Sequence, residues 1–231
     1  MKACVFSDIH GNGPAFEEAL KLINSEAADL NIFLGDLCGY YFDEIEIFEQ
    51  LVKIPNLIAL RGNHDQMFID ALSGNQIIRK SYKTEYSLAL EEFFKKDSKE
   101  IISWLKSLET QFVHPDKLFQ CFHGSPRDPL WEYVYPYSDF EQFQRQEGLI
   151  FLGHTHESFV KQVDECWVMN PGSIGQPRDW KLPSLMVVNL KTKKVQYKHF
   201  RYDYQALLQK IDGLGCPGEF SRKVILDSFG L

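Results

Sequence analysis

Leu57-Ile58-Ala59-Leu60-Arg61-Gly62-Asn63-His64-Asp65 runs from four apolar residues into an amide oxygen, an imidazole and a carboxylate in succession. A core strand rarely ends on such a cluster, yet this chain repeats the arrangement. Asp8-Ile9-His10-Gly11-Asn12, Gly35-Asp36, His123-Gly124 and Gly153-His154-Thr155-His156 each follow an apolar, strand-like run. Five of the seven histidines, at positions 10, 64, 123, 154 and 156, fall in these clusters. The pattern predicts one site assembled from five separate loops.

The segments around the clusters set the fold class. Residues 2 to 7 read as a buried strand, and Phe16, Ala19, Leu20 and Ile23, spaced 3, 4 and 7, mark one face of a helix. Leu30 to Leu34 is a second strand, Ile45, Phe48, Leu51 and Val52 a second helical face, and Leu57 to Leu60 a third strand. This βαβαβ rhythm predicts a largely parallel sheet, in which ligands bind beyond the carboxyl ends of the strands. Residues 66 to 110 carry no such cluster and read as a helical excursion. One segment lies near 86 to 96, then a cap at Asp97-Ser98-Lys99-Glu100, then Ile101, Trp104, Leu105 and Leu108 on one face. The excursion either covers the rim of the site or packs away from it.

From Lys117 strands return, up to Phe122 and over Leu149 to Leu152. Phe159 to Val163, Cys166 to Met169, Leu185 to Leu190 and Val195 to Phe200 follow at hairpin spacing. A helix near 203 to 212 and a terminal helix after Cys216-Pro217-Gly218 close the chain. The expectation is one α/β domain over residues 1 to 231.

Composition narrows the function. With 44% apolar residues in 231, the chain can bury a sizeable core. A net charge of −7 argues against general affinity for nucleic-acid backbones or anionic membranes, which attract clustered Lys and Arg. The apolar run at the N-terminus reaches Asp8 too soon for a signal peptide, and no run approaches a membrane span. Five widely spaced cysteines without a C-x-x-C pair suit reduced thiols, so a cytoplasmic protein is expected. Cys38 and Cys121 adjoin the clusters and read as small buried apolar residues.

In Asp8-x-His10 and His154-x-His156 the members are two apart, and at a strand end such residues point the same way. Carboxylate, imidazole and amide oxygen suit borderline ions such as Mn²⁺, Fe²⁺ or Zn²⁺ better than Ca²⁺. Asp8, His10, Asp36, Asn63, His123, His154 and His156 are too many for one ion with an open position; they suffice for two if Asp36 bridges. Two divalent ions bring a formal charge of about +4, from which two aspartates and a bridging hydroxide remove about 3, leaving a surplus for phosphate. His64, with an ordinary pKa near neutral, suits protonation of the leaving alkoxide.

The motifs Asp8-Ile-His10-Gly-Asn12, Gly35-Asp36, Gly62-Asn63-His64-Asp65, His123-Gly124 and Gly153-His154-Thr-His156 resemble, in order, those of the calcineurin-like metallophosphoesterase superfamily. The resemblance implies two facing mixed β-sheets flanked by helices, a four-layer α-β-β-α sandwich. It places Asp8, His10, Asp36 and His156 on one metal, and Asp36, Asn63, His123 and His154 on the other, with His64 as general acid. Mn²⁺ is the first expectation, with Fe, Zn, Ni or Co as alternatives. The Ser/Thr protein phosphatase branch carries Gly-Asp-x-x-Asp-Arg-Gly, where this chain has Gly35-Asp36-Leu37-Cys38-Gly39-Tyr40-Tyr41. The aspartate that steadies the catalytic histidine is therefore missing, and Asp65 or a backbone carbonyl is left to orient His64.

Gly39-Tyr40, His123-Gly-Ser-Pro-Arg127-Asp128 and Asn170-Pro-Gly-Ser-Ile-Gly-Gln-Pro-Arg178-Asp179 look instead like the compact prokaryotic phosphodiesterase-like subfamily. A small-molecule phosphoester or nucleotide substrate is implied, with monoester and diester both open. The alternative is a catalytically silent metal-binding scaffold. Arg178 and Arg127 are candidates for substrate phosphate, set against ordinary ion pairs. Trp131, Tyr133, Tyr135 and Tyr137 alternate, which suits a packing stripe better than a nucleobase platform. His114 and His199 lie in no cluster and read as surface or packing residues.

Overall fold

Alternation along the first strand turns Ala3 and Val5 into one apolar layer and Cys4 and Phe6 into another, all four fully buried. A strand apolar on both faces needs a covering layer on each side. The computed structural model, which describes residues 1–96, 98–178, 182–214 and 219–230, supplies both. Its strands are β1 (Lys2–Phe6), β2 (Leu30–Phe33), β3 (Leu57–Ala59), β4 (Gln111–Val113), β5 (Phe119–Phe122), β6 (Gly148–Leu152), β7 (Phe159–Val163), β8 (Cys166–Asn170), β9 (Ser184–Asn189) and β10 (Val195–His199). Its helices are α1 (Gly13–Glu26), α2 (Glu44–Leu51), α3 (Asn63–Leu72), α4 (Gln76–Glu85), α5 (Ala89–Phe94), α6 (Lys99–Ser107), α7 (Tyr204–Gly213) and α8 (Glu219–Phe229).

Two mixed five-stranded sheets result, ordered β10-β9-β1-β2-β3 and β4-β5-β6-β8-β7. In the first, β1, β2 and β3 are parallel, β9 is antiparallel to β1, and β10 to β9. In the second, β5, β6 and β8 are parallel, with β4 and β7 antiparallel at the edges. Ala3, Val5, Ile32 and Leu34 meet Phe119, Phe151, Met169 and Met186 between the sheets. Cys4, Phe6 and Phe33 on the opposite face pack under the helices. The outer face of the second sheet, with Phe122, Ile150, Leu152 and Val168, is covered by Val134, Phe140 and Phe143. Among the described residues that outer layer is the β5–β6 connection, whose helical content is one 3₁₀ turn, Glu141–Phe143. The α/β expectation of two facing mixed sheets holds; the helices flank the outer face of the first sheet, and the β5–β6 connection takes the place of the fourth, helical layer. No helix of the described residues is long and apolar enough to cross a membrane.

The helical stretch after β3 is finer-grained than its periodicity suggests. Asn63 is already the first residue of α3, α4 occupies 76–85, and the segment expected near 86 to 96 is the shorter α5. Ser87 Oγ accepts the Ala89 N–H at 3.0 Å, so the chain turns before α5 begins. Ser98 precedes α6 without a side-chain cap bond. Asp97 of the expected cap, Asp179 and Cys216-Pro217-Gly218 lie outside the described residues. The other four cysteines are unpaired and buried, in keeping with reduced thiols.

Glu44, the first residue of α2, is fully buried and neither carboxylate oxygen has a hydrogen-bond partner. Burial pushes its carboxyl up to about 8; Lys96 opposes this only from a distance, its ammonium being bonded to Phe42 O at 2.6 Å. An acid whose folded pKa lies above its ordinary 4.5 binds more proton in the fold, so its contribution to stability is lost as pH rises from 4.5 to about 8. Urea unfolding of chelator-treated protein is therefore expected to show wild type losing stability across that window relative to Glu44→Gln. Parallel curves for the two proteins would contradict a neutral, buried Glu44.

Candidate metal centre

Each polar cluster follows the carboxyl end of a parallel strand: Asp8 and His10 follow β1, Asp36 β2, Asn63 and His64 β3, His123 β5, and His154 and His156 β6. The two sheets face each other, so these ends converge. Asp8, His10, Asp36, His154 and His156 all have positive φ, between 52° and 67°. A non-glycine residue pays roughly 1–3 kcal/mol for such a conformation, which persists only where the surroundings over-determine it. Here that conformation turns side chains of sharply bent loops into one cavity.

Three groups of donor atoms come together, each mutually within 4.8 Å: Asp8-His10-His156, His10-Asp36-His64 and Asp36-His123-His154. All of these residues are buried. Each aspartate uses one oxygen to hold a loop and leaves the other without a partner. Asp8 Oδ2 accepts the His154 N–H at 3.2 Å and Asp36 Oδ1 the His64 N–H at 2.9 Å, whereas Asp8 Oδ1 and Asp36 Oδ2 have none. Asp36 Oδ2 lies 3.7 Å from His10 Nε2 and 3.4 Å from His123 Nε2, and Asp8 Oδ1 lies 3.4 Å from His156 Nε2.

The other side of each ring explains why hydrogen bonding leaves these atoms unmatched. His10 Nδ1 faces Cys38 O at 3.0 Å, His123 Nδ1 faces Leu34 O at 2.9 Å, and His156 Nδ1 faces Gln176 O at 2.6 Å. A carbonyl can only accept, so Nδ1 carries a proton in all three rings, and in neutral His10 and His156 the Nε2 lone pair points inward. His10 Nε2 and His156 Nε2 then oppose each other at 3.0 Å, and His123 Nε2 meets Asn63 Oδ1 at 2.9 Å. His154 Nε2 has no partner. Lone pairs turned on lone pairs repel, and a cation removes the repulsion. Two donors bound at about 2.0–2.1 Å to one ion can lie no more than about 4.2 Å apart, and the donors here lie between 2.9 and 3.8 Å from one another. The residues present fit a divalent ion.

Electrostatics agree with ligand duty. Burial lowers His10 to about 4 and His154 to about 3, and drives His156 well below its ordinary value, so these rings are neutral. His123 is the exception: burial pulls it down, but the Asp36 carboxylate outweighs that and raises it to about 9. Asp36, in spite of burial, is held below the carboxylate range by His123, His64 and His10. Burial, together with the Asp36 charge, pushes Asp8 up to about 7.

Asp65 does not orient His64. Its oxygens accept the backbone N–H groups of Asp36 at 3.0 Å, Cys38 at 2.9 Å and Gly62 at 3.0 Å. As the third residue of α3, it reaches back to the residue before the helix and ties the Asp36 loop to that turn. A Cβ on Gly62 would fall on Asp36 Oδ1, so only glycine allows this approach. The partner of His64 is Tyr82 of α4, whose hydroxyl lies 2.7 Å from Nδ1.

Residues 1–193 match the calcineurin-like phosphoesterase superfamily domain. The chain belongs to that superfamily. An uncharacterized protein of Methanocaldococcus jannaschii is 27% identical over 224 residues, covering 90% of each chain. A phosphodiesterase of the same archaeon is 28% identical over 176 residues, 74% of this chain and 83% of its own. A metallophosphoesterase from Sphaerobacter thermophilus shares the fold, with a TM-score of 0.74 over 99% of both chains at 24% identity.

In this member of the superfamily the stretch from Asn170 to Gln176 straps the loops of the cluster together. Asn170 Nδ2 donates to Gly153 O at 2.7 Å, Ser173 Oγ to Asp8 O at 2.8 Å, and the Gly175 N–H to Asp8 O at 2.9 Å. Asn12 Nδ2 donates back to Gly175 O at 2.8 Å. Arg178, just beyond, donates to Tyr40 Oη at 2.8 Å and Gln176 Oε1 at 3.0 Å. Burial lowers His64 to about 3, and the Arg178 charge adds to the depression of His64, His10 and His156. Arg127 is not brought to the cluster: its guanidinium is exposed and bound by Glu132 on its own loop.

The alternating aromatics are a rim rather than a core stripe. Tyr133 lies on the His154 ring at 3.8 Å, and Tyr135 and Tyr137 continue a parallel stack, with Tyr137 76% exposed. Tyr40 is buried instead, edge-on to His10. The reading from sequence missed Tyr82 and Tyr86, which stands edge-on to His64 at 4.8 Å. Their spacing of four on a helical excursion was the only trace of them.

Asp65→Ala strands three buried N–H groups, each worth about 1–3 kcal/mol. It is expected to lower stability in urea by roughly 3 kcal/mol or more and to weaken Mn²⁺ binding measured by calorimetry. An Asp65→Ala protein that bound Mn²⁺ as wild type does would show that the Asp36 loop does not depend on this carboxylate.

Proposed function

We propose that the protein is a metal-dependent phosphoesterase, a hydrolase of a small-molecule phosphomonoester or phosphodiester, nucleotides included. The observation that carries this is Asp36 Oδ2, an unpartnered buried oxygen placed between two groups of donors. Asp8, His10, Asp36 and His156 would hold one ion, and Asp36, Asn63, His123 and His154 the other. Mn²⁺ leads the expectation, with Fe, Zn, Ni or Co as alternatives that suit mixed imidazole and carboxylate ligands. When bound, two such ions lower the pKa of a water held between them and offset the charge on a phosphate.

The chain supplies the rest. Arg178, within electrostatic reach of three site histidines, binds a phosphate oxygen in a protein whose overall charge repels anions. His64 sits beside the donors and gives a proton to the leaving oxygen. Residues 66–110 act as a cap through Tyr82 and Tyr86 within one domain of residues 1–231. The phosphodiesterase among the relatives, at 28% identity, favours diesters as the first substrates to examine. A silent metal-binding scaffold would need no proton at His64.

Protein stripped by chelator and then given Mn²⁺ is expected to hydrolyse bis-p-nitrophenyl phosphate or p-nitrophenyl phosphate, and Asp36→Ala is expected to do neither. Absence of turnover on any phosphoester, in protein shown to hold its metal, would sink the reading. His64→Ala should retain the metal while turnover of an alkyl ester falls about 10²–10⁴-fold; an undiminished rate would remove His64 from the reaction.

A further inference from the structure

His10, His123 and His156 present Nδ1 to a backbone carbonyl, which fixes the proton there and leaves Nε2 as a ligand. His64 is built differently. Its Nδ1 meets a hydroxyl, that of Tyr82, at 2.7 Å, and both side chains are buried. Among the described residues His64 is the hydroxyl's one hydrogen-bond partner, so in the neutral ring the hydroxyl donates and Nδ1 accepts. The ring proton is then on Nε2, the opposite tautomer to neutral His10 and His156.

We propose that Tyr82 is a positioning residue for the reaction, holding the His64 ring so that Nε2 carries a proton and is not a lone pair for a metal. The proposal rests on the phosphoesterase reading. A hydroxyl suits the task because it can donate to Nδ1 of the neutral ring and accept from Nδ1–H of the protonated one. The form that donates is the protonated ring, with Nδ1–H given to the Tyr82 oxygen and Nε2–H facing the leaving oxygen. As the P–O bond breaks its electron pair stays on that oxygen, which takes the Nε2 proton, and the ring is left neutral with Nδ1–H still donated to Tyr82. A carboxylate in the same place could only accept. Position is enforced by packing: Tyr82 stands edge-on to Phe68 of α3 at 5.3 Å and tilts against Tyr86 at 4.8 Å. The geometry also ties residues 66–110 to the chemistry through a single bond.

The test is Tyr82→Phe, which keeps the ring and removes the bond. In Mn²⁺-loaded protein, kcat on an alkyl phosphoester is expected to fall at least tenfold more than on the matching p-nitrophenyl ester, whose leaving group needs little acid. KM and metal content should stay within about twofold. In a His64→Asn background the same substitution should cause no further loss. Equal losses on the two esters, or a further loss in that background, would reduce Tyr82 to packing and overturn the proposal. Nitrogen-15 NMR of histidine-labelled, metal-free protein provides a reading that needs no activity. His64 is expected as the Nε2–H tautomer in wild type and as a mixture in Tyr82→Phe; an unchanged tautomer overturns the proposal. If wild type hydrolyses nothing yet shows this tautomer change, the phosphoesterase reading fails while the Tyr82–His64 bond stands.

Discussion

The structure depends on a shortage of protons in one buried place. Asp8 Oδ1, Asp36 Oδ2 and His154 Nε2 have no partner, and the neutral rings of His10 and His156 turn lone pairs inward because backbone carbonyls occupy their other nitrogens. An unpaired buried polar group costs about 1–3 kcal/mol, so a cluster of them is unstable without a compensating charge. A divalent cation would provide one. The loops, the strained backbone and the tautomers all follow from keeping that arrangement in register.

Backbone does more of this work than side chains do. The carbonyls of Cys38, Leu34 and Gln176 choose the tautomers, and the N–H groups of Asp36, Cys38 and Gly62 gather on Asp65. The Asn170–Gln176 strap joins the β1 and β6 loops across the gap between the sheets, although it supplies no ligand side chain. Its Asn, Ser and Gly residues earn their places through hydrogen bonds to loop backbone, and this explains a motif whose chemistry was not evident in the residues themselves.

The excursion between β3 and β4 sets this member of the superfamily apart from the protein phosphatase pattern. At the second motif Gly39 and Tyr40 stand where an aspartate and an arginine would be, so a histidine partner must come from elsewhere. It comes from α4, and a guanidinium whose charge reaches three histidines of the cluster comes from Arg178 after β8. Both replacements reach the site from remote parts of the chain. Tyr40 and Tyr86 line the His64 side and Tyr133 covers His154, so phenol rings border the site on both sides.

The convergence of Asp8, His10, Asp36, Asn63, His123, His154 and His156 was legible because each follows a strand-like apolar run, and a strand of known direction places its end residues without further information. The two-sheet fold was what the resemblance of the motifs implied, and the burial of Lys2–Phe6 on both faces accords with it. Asp65, Tyr82 and Arg127 were not legible. Asp65 sits next to His64 in sequence, but the first turn of α3 directs its carboxylate to three N–H groups instead. Arg127 follows His123 closely, yet its loop folds it onto Glu132. Tyr82 is eighteen residues from its partner, across a helix-to-helix packing that periodicity cannot register. Local pattern determined which atoms are offered to a metal. Tertiary structure alone decided which hydrogen bonds direct them, because a hydrogen bond depends on distances between segments that the sequence does not encode locally.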